Sequence, residues 1–228
     1  MKKTMSAPAQ SRTNTRIPSL IGVYDYTVVL TYAGMLAAFL GILMLMDRRF
    51  DQAVFCLMAA GICDMFDGAV AATKDRSPAE KAFGIQIDSL SDLISFGVLP
   101  ALFVYRLSEG SRTAGLLAAL YVLCALIRLA WFNTAETERQ AAECGRRRSY
   151  LGLPVTTIAV LLPLLYLAYH LAWVRTRAAF PALLLLTGTA FLLPFRVKKP
   201  GLPGKIGLVV VGVVEAAGLF FFLGGDLI

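Results

Sequence analysis

Charged residues are scarce in this chain, and their scarcity argues against an ordinary soluble fold. Asp, Glu, Lys and Arg make up 16% of the 228 residues, whereas apolar residues make up 57%. Soluble domains carry about 25% charged residues. The mean hydropathy of +0.68 is that of a protein which exposes apolar surface to lipid. The composition therefore predicts a membrane protein.

Histidine and cysteine are also rare. The chain has one histidine, His170, and its four cysteines show no C-x-x-C spacing, which argues against a zinc site and a disulfide framework. The net charge of +7 does not indicate nucleic-acid binding, because the basic residues are divided among short segments between apolar runs. We expect no cleaved signal peptide, because residues 4–16 are polar.

What the chain does have is long apolar runs, most of them close to the ~20 residues that span a bilayer as a helix. They predict an all-α polytopic transmembrane bundle of six to eight spans, with seven as the best count. Residues 1–27 are expected to form a basic N-terminal arm and interfacial segment, and residues 28–224 a single membrane-embedded domain. The predicted spans are Val28–Met46, Ala53–Ala72, Gly84–Tyr105, Ala114–Phe132, Leu153–Trp173, Ala178–Phe195 and Ile206–Leu223.

The basic residues predict the orientation of this bundle. With a cytosolic N-terminus, fifteen of the 22 Lys and Arg residues fall in cytosolic segments and six in segments on the other side. Positive charge is enriched on the cytosolic side of membrane proteins. We therefore expect a protein of the inner or cytoplasmic membrane whose N-terminus faces the cytosol.

Four aspartates lie inside the second and third predicted spans, where acids are costly. An unpaired aspartate in the middle of a span costs about 2.5–3.5 kcal/mol on insertion scales. Asp64 and Asp67 are three residues apart, and Asp88 and Asp92 are four apart, so each pair shares one helical face. Neither span contains a Lys or Arg. A positive charge from outside the sequence is implied.

The depths of these acids predict that they meet. At 1.5 Å per residue, Asp67 and Asp88 lie about 6–8 Å below the cytosolic helix ends, and Asp64 and Asp92 about 12 Å below them. Oxygen ligands without histidine or cysteine favour Mg²⁺, Mn²⁺ or Ca²⁺. Two such cations would balance four carboxylates and could hold a diphosphate. Small residues around the acids (Gly68, Ala71 and Gly84) leave room for a bulky ligand.

A divalent-cation transporter is the alternative from another class. Transporters usually place such sites near the midplane on broken helices. These acids are instead predicted toward the cytosolic side, within reach of a soluble nucleotide, which favours an enzyme.

At these residues the sequence resembles the CDP-alcohol phosphotransferase family, whose signature is D-x-x-D-G-x-x-A-R, eight residues, then G-x-x-x-D-x-x-x-D. The four aspartates, Gly68, Ala71 and Gly84 fall on motif positions. Two departures stand out: the arginine position is Ala72, and the spacer 73–83 is longer than eight residues. Lys74 or Arg76 is a candidate to replace the missing arginine, and a non-catalytic relative is the alternative.

Flanking residues resemble the bacterial CDP-diacylglycerol–serine O-phosphatidyltransferases within this family. The similar runs are Asp88–Ala101, Arg128–Asn133 and Tyr150–Pro154. The resemblance implies transfer of a phosphatidyl group from CDP-diacylglycerol to serine in the membrane. Glycerol 3-phosphate and an inositol phosphate are the alternative acceptors.

The resemblance also implies roles for particular residues. Asp64, Asp67, Asp88 and Asp92 would hold two Mg²⁺ or Mn²⁺ ions, and Asp92 would be the general base that deprotonates the serine hydroxyl. Gly68, Ala71 and Gly84, together with Asp64, would lie near the nucleotide. Arg128 and Asn133 are candidate contacts for the lipid phosphate or the serine carboxylate. A homodimer is expected by resemblance alone.

Overall fold

The computed structural model describes residues 21–141, 149–198 and 201–223, which form a bundle of α-helices. Residues 1–20 of the predicted N-terminal arm lie outside the described residues, and the division of the chain at residue 28 stays a prediction. The helices are α1 (Val29–Met46), α2 (Phe50–Ala71), α3 (Pro78–Asp92), α4 (Leu99–Leu107), α5 (Arg112–Ala141), α6 (Ile158–His170), α7 (Ala179–Leu192) and α8 (Leu202–Leu223).

The predicted all-α membrane bundle is confirmed. Four helical stretches of the described chain are long and apolar enough to cross a membrane: Val29–Met46, Phe50–Ala71, Pro78–Leu107 and Arg112–Glu138. Three shorter apolar helices follow, Val155–His170, Ala179–Leu192 and Gly207–Phe222. Together they match the seven predicted apolar runs. The chain is an integral membrane protein.

Successive helices run in opposite directions between two ends of the bundle, except that α4 continues in the direction of α3. We call the end where α2 stops and α3 begins the cluster end, and the end where α1 stops and α2 begins the far end. At the far end, the guanidinium of Arg106 donates hydrogen bonds to the carbonyls of Leu45 and Met46. At the cluster end, a short antiparallel pair joins β1 (Ser149–Leu151) to β2 (Arg196–Lys198).

Close packing of α1 on α2 depends on two glycines. A Cβ atom on Gly41 would lie 2.9 Å from Cβ of Cys56, and one on Gly34 would lie 3.1 Å from Cβ of Cys63. Small residues let helix backbones approach closely in membranes. This approach brings the start of α1 beside the end of α2, where two of the predicted site acids lie.

Helix α3 begins six residues before the predicted span, at Pro78 rather than Gly84. The Ser77 side chain accepts from the backbone N–H of Glu80 at 3.2 Å, and the Glu80 carboxylate accepts from the N–H of Ser77 at 2.7 Å. This capping box, with proline at the first helical position, fixes the start. The apolar run alone gave no sign of it because the first turns of α3 are polar.

A π-helical segment, Leu93–Val98, joins α3 to α4 in one continuous helix and follows Asp92 directly. The hydroxyl of the buried Tyr121 on α5 donates a hydrogen bond of 2.7 Å to the carbonyl of Phe96. Such segments shift the helical register and are frequent at functional sites. Here the shift falls directly after the last of the four aspartates.

Candidate active site

The four aspartates meet where the last turns of α2 face α3. Carboxylate oxygens of Asp64, Asp88 and Asp92 all lie within 4.8 Å of one another. The carboxyl groups of Asp64 and Asp92 contact each other, as do those of Asp67 and Asp88. The depths predicted from the helical rise pair the acids in the same way. We call these four residues the aspartate cluster.

The cluster fits hard divalent cations. Its donors are all carboxylate oxygens, which Mg²⁺, Mn²⁺ and Ca²⁺ prefer. Opposite ligands of Mg²⁺ lie about 4.2 Å apart, given bonds of 2.0–2.1 Å. Separations of up to 4.8 Å between Asp64, Asp88 and Asp92 are therefore close to those needed to share one ion. Four like-charged groups in a pair of membrane helices favour a bound cation, because the predicted spans Ala53–Ala72 and Gly84–Tyr105 contain no Lys or Arg.

Two hydrogen bonds tie the cluster to α1. The hydroxyl of Thr31 donates to a carboxylate oxygen of Asp67 at 3.2 Å, and Ser91 donates to the carbonyl of Thr31 at 3.3 Å. Thr31 and Ser91 are both buried. Asp67 of α2 and Ser91 of α3 thus both form hydrogen bonds with Thr31 of α1.

A third hydrogen bond ties the cluster to α5. Ser89, next in sequence to Asp88, donates to the side-chain oxygen of Asn133 at 2.7 Å. Ser89 therefore links α3 to α5, and Ser91 links α3 to α1. Thr31, Ser89 and Ser91 were not predicted as site residues from the sequence. Two serines set between two aspartates in an otherwise apolar span were the available signal.

The predicted small residues differ in what surrounds them. Gly68 is exposed, and a Cβ atom there would meet nothing within 4 Å, so the space beside it is open. Ala71 is half-buried. The bare face of Gly84 is instead covered by the side chain of Arg76. Room for a ligand therefore lies on the α2 side of the cluster.

The sequence matches the CDP-alcohol phosphatidyltransferase family over residues 26–193, a range that contains the whole aspartate cluster. The chain belongs to this family. The predicted resemblance is confirmed.

Several curated members of the family are similar to this chain. The archaetidylserine synthase of Methanothermobacter thermautotrophicus is 33% identical over 153 residues, covering 67% of this chain and 60% of that protein. The CDP-diacylglycerol–serine O-phosphatidyltransferase of Saccharomyces cerevisiae is 36% identical over 121 residues, covering 52% and 43%. The Helicobacter pylori enzyme of that name is 29% identical over 171 residues, covering 73% and 68%. The chain thus spans between about two fifths and two thirds of these relatives.

Lys74 and Arg76, the candidates for the arginine that Ala72 replaces, occupy different surroundings. Lys74 forms ion pairs with Asp25 and with Glu80, the latter at 3.4 Å. The Lys74 ammonium and the Thr27 hydroxyl lower the pKa of Asp25 to about 2. The contact with Asp25 in turn raises the pKa of Lys74. Lys74 thus holds the segment before α1 onto the α2–α3 connection, and Arg76 alone of the two is left beside Gly84.

Arg128 and Asn133, the candidate substrate contacts on α5, both hold protein groups. Arg128 is 7% exposed, and its Nε donates to the carbonyl of Leu153 at 3.4 Å. Its guanidinium also lies 5.8 Å from the centre of the Phe132 ring. Asn133 accepts from Ser89. These contacts account for polar residues in the span, and a substrate role for either residue stays a prediction.

Proposed function

We propose that this protein transfers the phosphatidyl group of CDP-diacylglycerol to L-serine, forming phosphatidylserine and CMP. The observation that carries the proposal is the aspartate cluster, three of whose carboxylates lie within 4.8 Å of one another in a member of the CDP-alcohol phosphatidyltransferase family. The similar proteins of Methanothermobacter thermautotrophicus, Saccharomyces cerevisiae and Helicobacter pylori are all named for serine, and the latter two also for CDP-diacylglycerol. These names support serine over glycerol 3-phosphate or an inositol phosphate as the acceptor.

Asp64, Asp88 and Asp92, with Asp67 beside them, are the residues that would hold two Mg²⁺ or Mn²⁺ ions. Members of the family generally depend on divalent metal. When bound, the ions would neutralise the diphosphate of the CDP-lipid and the charge that develops on the departing CMP. Thr31 would keep the Asp67 carboxylate oriented toward them.

We assign proton removal to Asp92. Its carboxylate accepts the proton of the serine hydroxyl, and the serine oxygen forms a bond to the phosphorus that carries the diacylglycerol. The bond between that phosphorus and the bridging oxygen of the diphosphate breaks, and the bridging oxygen leaves with CMP. The proton remains on Asp92 until it is lost to solvent, so atoms and charge balance.

The position of the cluster suits a substrate that is half lipid. Acyl chains would stay in the bilayer beside α2 and α3, while the diphosphate reaches the acids from the cluster end. The open space beside Gly68, with Ala71 one turn further along α2, is where the nucleotide would lie. A phosphotransfer site built into spanning helices needs no extraction of the lipid from the membrane.

We infer that the cluster end faces the cytosol. The connection that carries Lys74 and Arg76 lies there, and the sequence predicts that this connection is cytosolic, since the segments assigned to that side bear fifteen of the 22 basic residues. A homodimer in the inner membrane is the expected state. Cysteine labelling from each side of sealed vesicles, with single cysteines at positions 75 and 109, checks the orientation.

The activity is tested with purified protein, CDP-diacylglycerol, labelled serine and Mn²⁺. We expect labelled phosphatidylserine and an equal amount of CMP. Product with glycerol 3-phosphate and none with serine would show that glycerol 3-phosphate is the acceptor. Metal flux into sealed liposomes without CMP release would instead establish the transporter.

A further inference from the structure

Arg76 lies on the face of α3 that bears the acids. A Cβ atom on Gly84 would lie 2.9 Å from Nη1 of Arg76, so the guanidinium fills the place where a side chain at position 84 would begin. Gly84 and Asp88 are four residues apart and share one helical face. Arg76 therefore sits about one turn, or ~6 Å along the helix, from the level of Asp88 toward the cluster end.

The guanidinium has hydrogen-bonding capacity to spare. Its Nε atom is buried and has no hydrogen-bond partner among residues 21–141, 149–198 and 201–223. Within the same part of the chain, Arg76 forms no ion pair, whereas its neighbour Lys74 has two acidic partners. A buried N–H without an acceptor is unfavourable unless a ligand supplies the acceptor.

The chemistry of the missing acceptor follows from the neighbouring groups. Arginine presents a fork of donors that matches phosphate oxygens. An anion held by cations on the aspartate cluster would extend toward the cluster end, where it meets the guanidinium. The acids and Arg76 would then contact the same anion from two sides, which explains why Arg76 lies near the acids without pairing with them.

We propose that Arg76 binds a phosphate of the nucleoside-diphosphate substrate and that Gly84 is small in order to seat its guanidinium. This inference rests on the proposed function and adds Arg76 to the aspartate cluster as a residue that binds the substrate. It also places the cationic contact four positions after Ala72, where this chain lacks the arginine of the family pattern.

The test is binding of CDP to the full-length protein in detergent with Mg²⁺, measured by calorimetry beside cytidine, which has no phosphate. Arg76→Gln is expected to weaken CDP binding about 10- to 100-fold, as for loss of a charge-assisted hydrogen bond. Arg76→Lys should weaken it less, and cytidine binding should not change. Lys81→Gln, which removes an exposed positive charge elsewhere on α3, is the matched control and should bind CDP like the wild type.

A second variant separates ligand binding from a structural role. Gly84→Ala keeps Arg76 but displaces its guanidinium, and it should also weaken CDP binding. Without ligand, Arg76→Gln should melt at the wild-type temperature or above it, because the buried Nε has no partner to lose. Unchanged CDP affinity in Arg76→Gln overturns the inference, whatever the melting temperature of the ligand-free variant.

The same variants distinguish failure of the inference from failure of the proposed function. If the wild type makes phosphatidylserine while Arg76→Gln binds CDP as tightly as the wild type, the function stands and Arg76 has no part in it. If CDP binding depends on Arg76 but the wild type makes no phosphatidylserine, the anion site stands and the assigned reaction is wrong.

Discussion

Helix α2 carries acids near both of its ends, and the groups that surround these acids differ between the two ends. Asp51, in the first turn, accepts a hydrogen bond of 2.6 Å from the hydroxyl of Tyr166. The positive end of the helix dipole also favours an anion there. Asp64 and Asp67 lie in the last turns, where the dipole opposes a negative charge, and they face the acids of α3.

The surroundings sharpen this contrast. Tyr166 is 4% exposed and packs edge-on against Phe103, with ring centres 5.3 Å apart, and against His170 at 4.5 Å. The acid at the far end is thus part of an aromatic core that satisfies it. At the cluster end, Thr31 donates to Asp67, and the acids of α2 face further acids on α3. The same residue type is therefore structural at one end of α2 and is predicted to bind a cation at the other.

The largest expected effect is on catalysis at the cluster end. Asp92→Asn should lower the rate of CMP release about 10²- to 10⁴-fold, because a general base is removed. Asp51→Asn, the matched change at the far end, should keep the rate within a few-fold of wild type. Equal rates for Asp92→Asn and the wild type would remove Asp92 from its assigned role.

The next largest effect is on metal binding. Saturating Mn²⁺ should raise the melting temperature of the wild type, since a ligand at 100 times its Kd stabilises by about 2.7 kcal/mol. The shift should be lost in Asp64→Asn and Asp88→Asn and retained in Asp51→Asn. A chelator should abolish CMP release. A Mn²⁺ shift that survives both cluster substitutions would place the metal elsewhere.

The brace on α1 should have a smaller effect. Thr31→Val removes the hydroxyl that orients Asp67, and we expect the concentration of Mn²⁺ needed for half-maximal activity to rise about tenfold, as for a hydrogen bond to a charged group. Thr31→Ser should restore it. Thr187→Val is the control, because the hydrogen bonds of that buried hydroxyl within the described residues go to backbone carbonyls of its own helix α7. An identical metal requirement in Thr31→Val and wild type contradicts the brace.

At the far end the expected effect is on stability alone. Tyr166→Phe leaves the Asp51 carboxylate without its donor and should lower the free energy of unfolding by about 1–3 kcal/mol. The rate of CMP release per folded molecule should equal that of the wild type when both proteins are heated and then assayed again. A loss of activity without loss of stability would mean that the two ends of α2 are coupled.

The sequence was sufficient to predict what repeats along the chain or follows helical spacing. Runs of apolar residues predicted the helices, and the spacing of Asp64, Asp67, Asp88 and Asp92 predicted that the acids meet in pairs. Both inferences need only the rise and period of a helix. The family pattern predicted metal binding and phosphatidyl transfer at these residues, because the four aspartates are positions of its motif.

Contacts between distant residues were beyond such reasoning. Nothing local marks Thr31 as a partner of Asp67, since the contact depends on how closely α1 packs on α2. A substrate contact of Asn133 stays a prediction, but the hydrogen bond that its side chain accepts from Ser89 could not be predicted, because it depends on how α3 packs on α5. Gly84 was predicted to leave room for a nucleotide, but the α2–α3 connection folds back and places Arg76 there.

The central claim is that the aspartate cluster holds cations which in turn hold a diphosphate. Anomalous X-ray scattering from crystals grown with Mn²⁺ and CDP tests it most directly. The account predicts Mn²⁺ signal bounded by Asp64, Asp88 and Asp92, with the diphosphate of CDP in contact with it. Nucleotide bound elsewhere, or acids that stay without metal at saturating Mn²⁺, would contradict it.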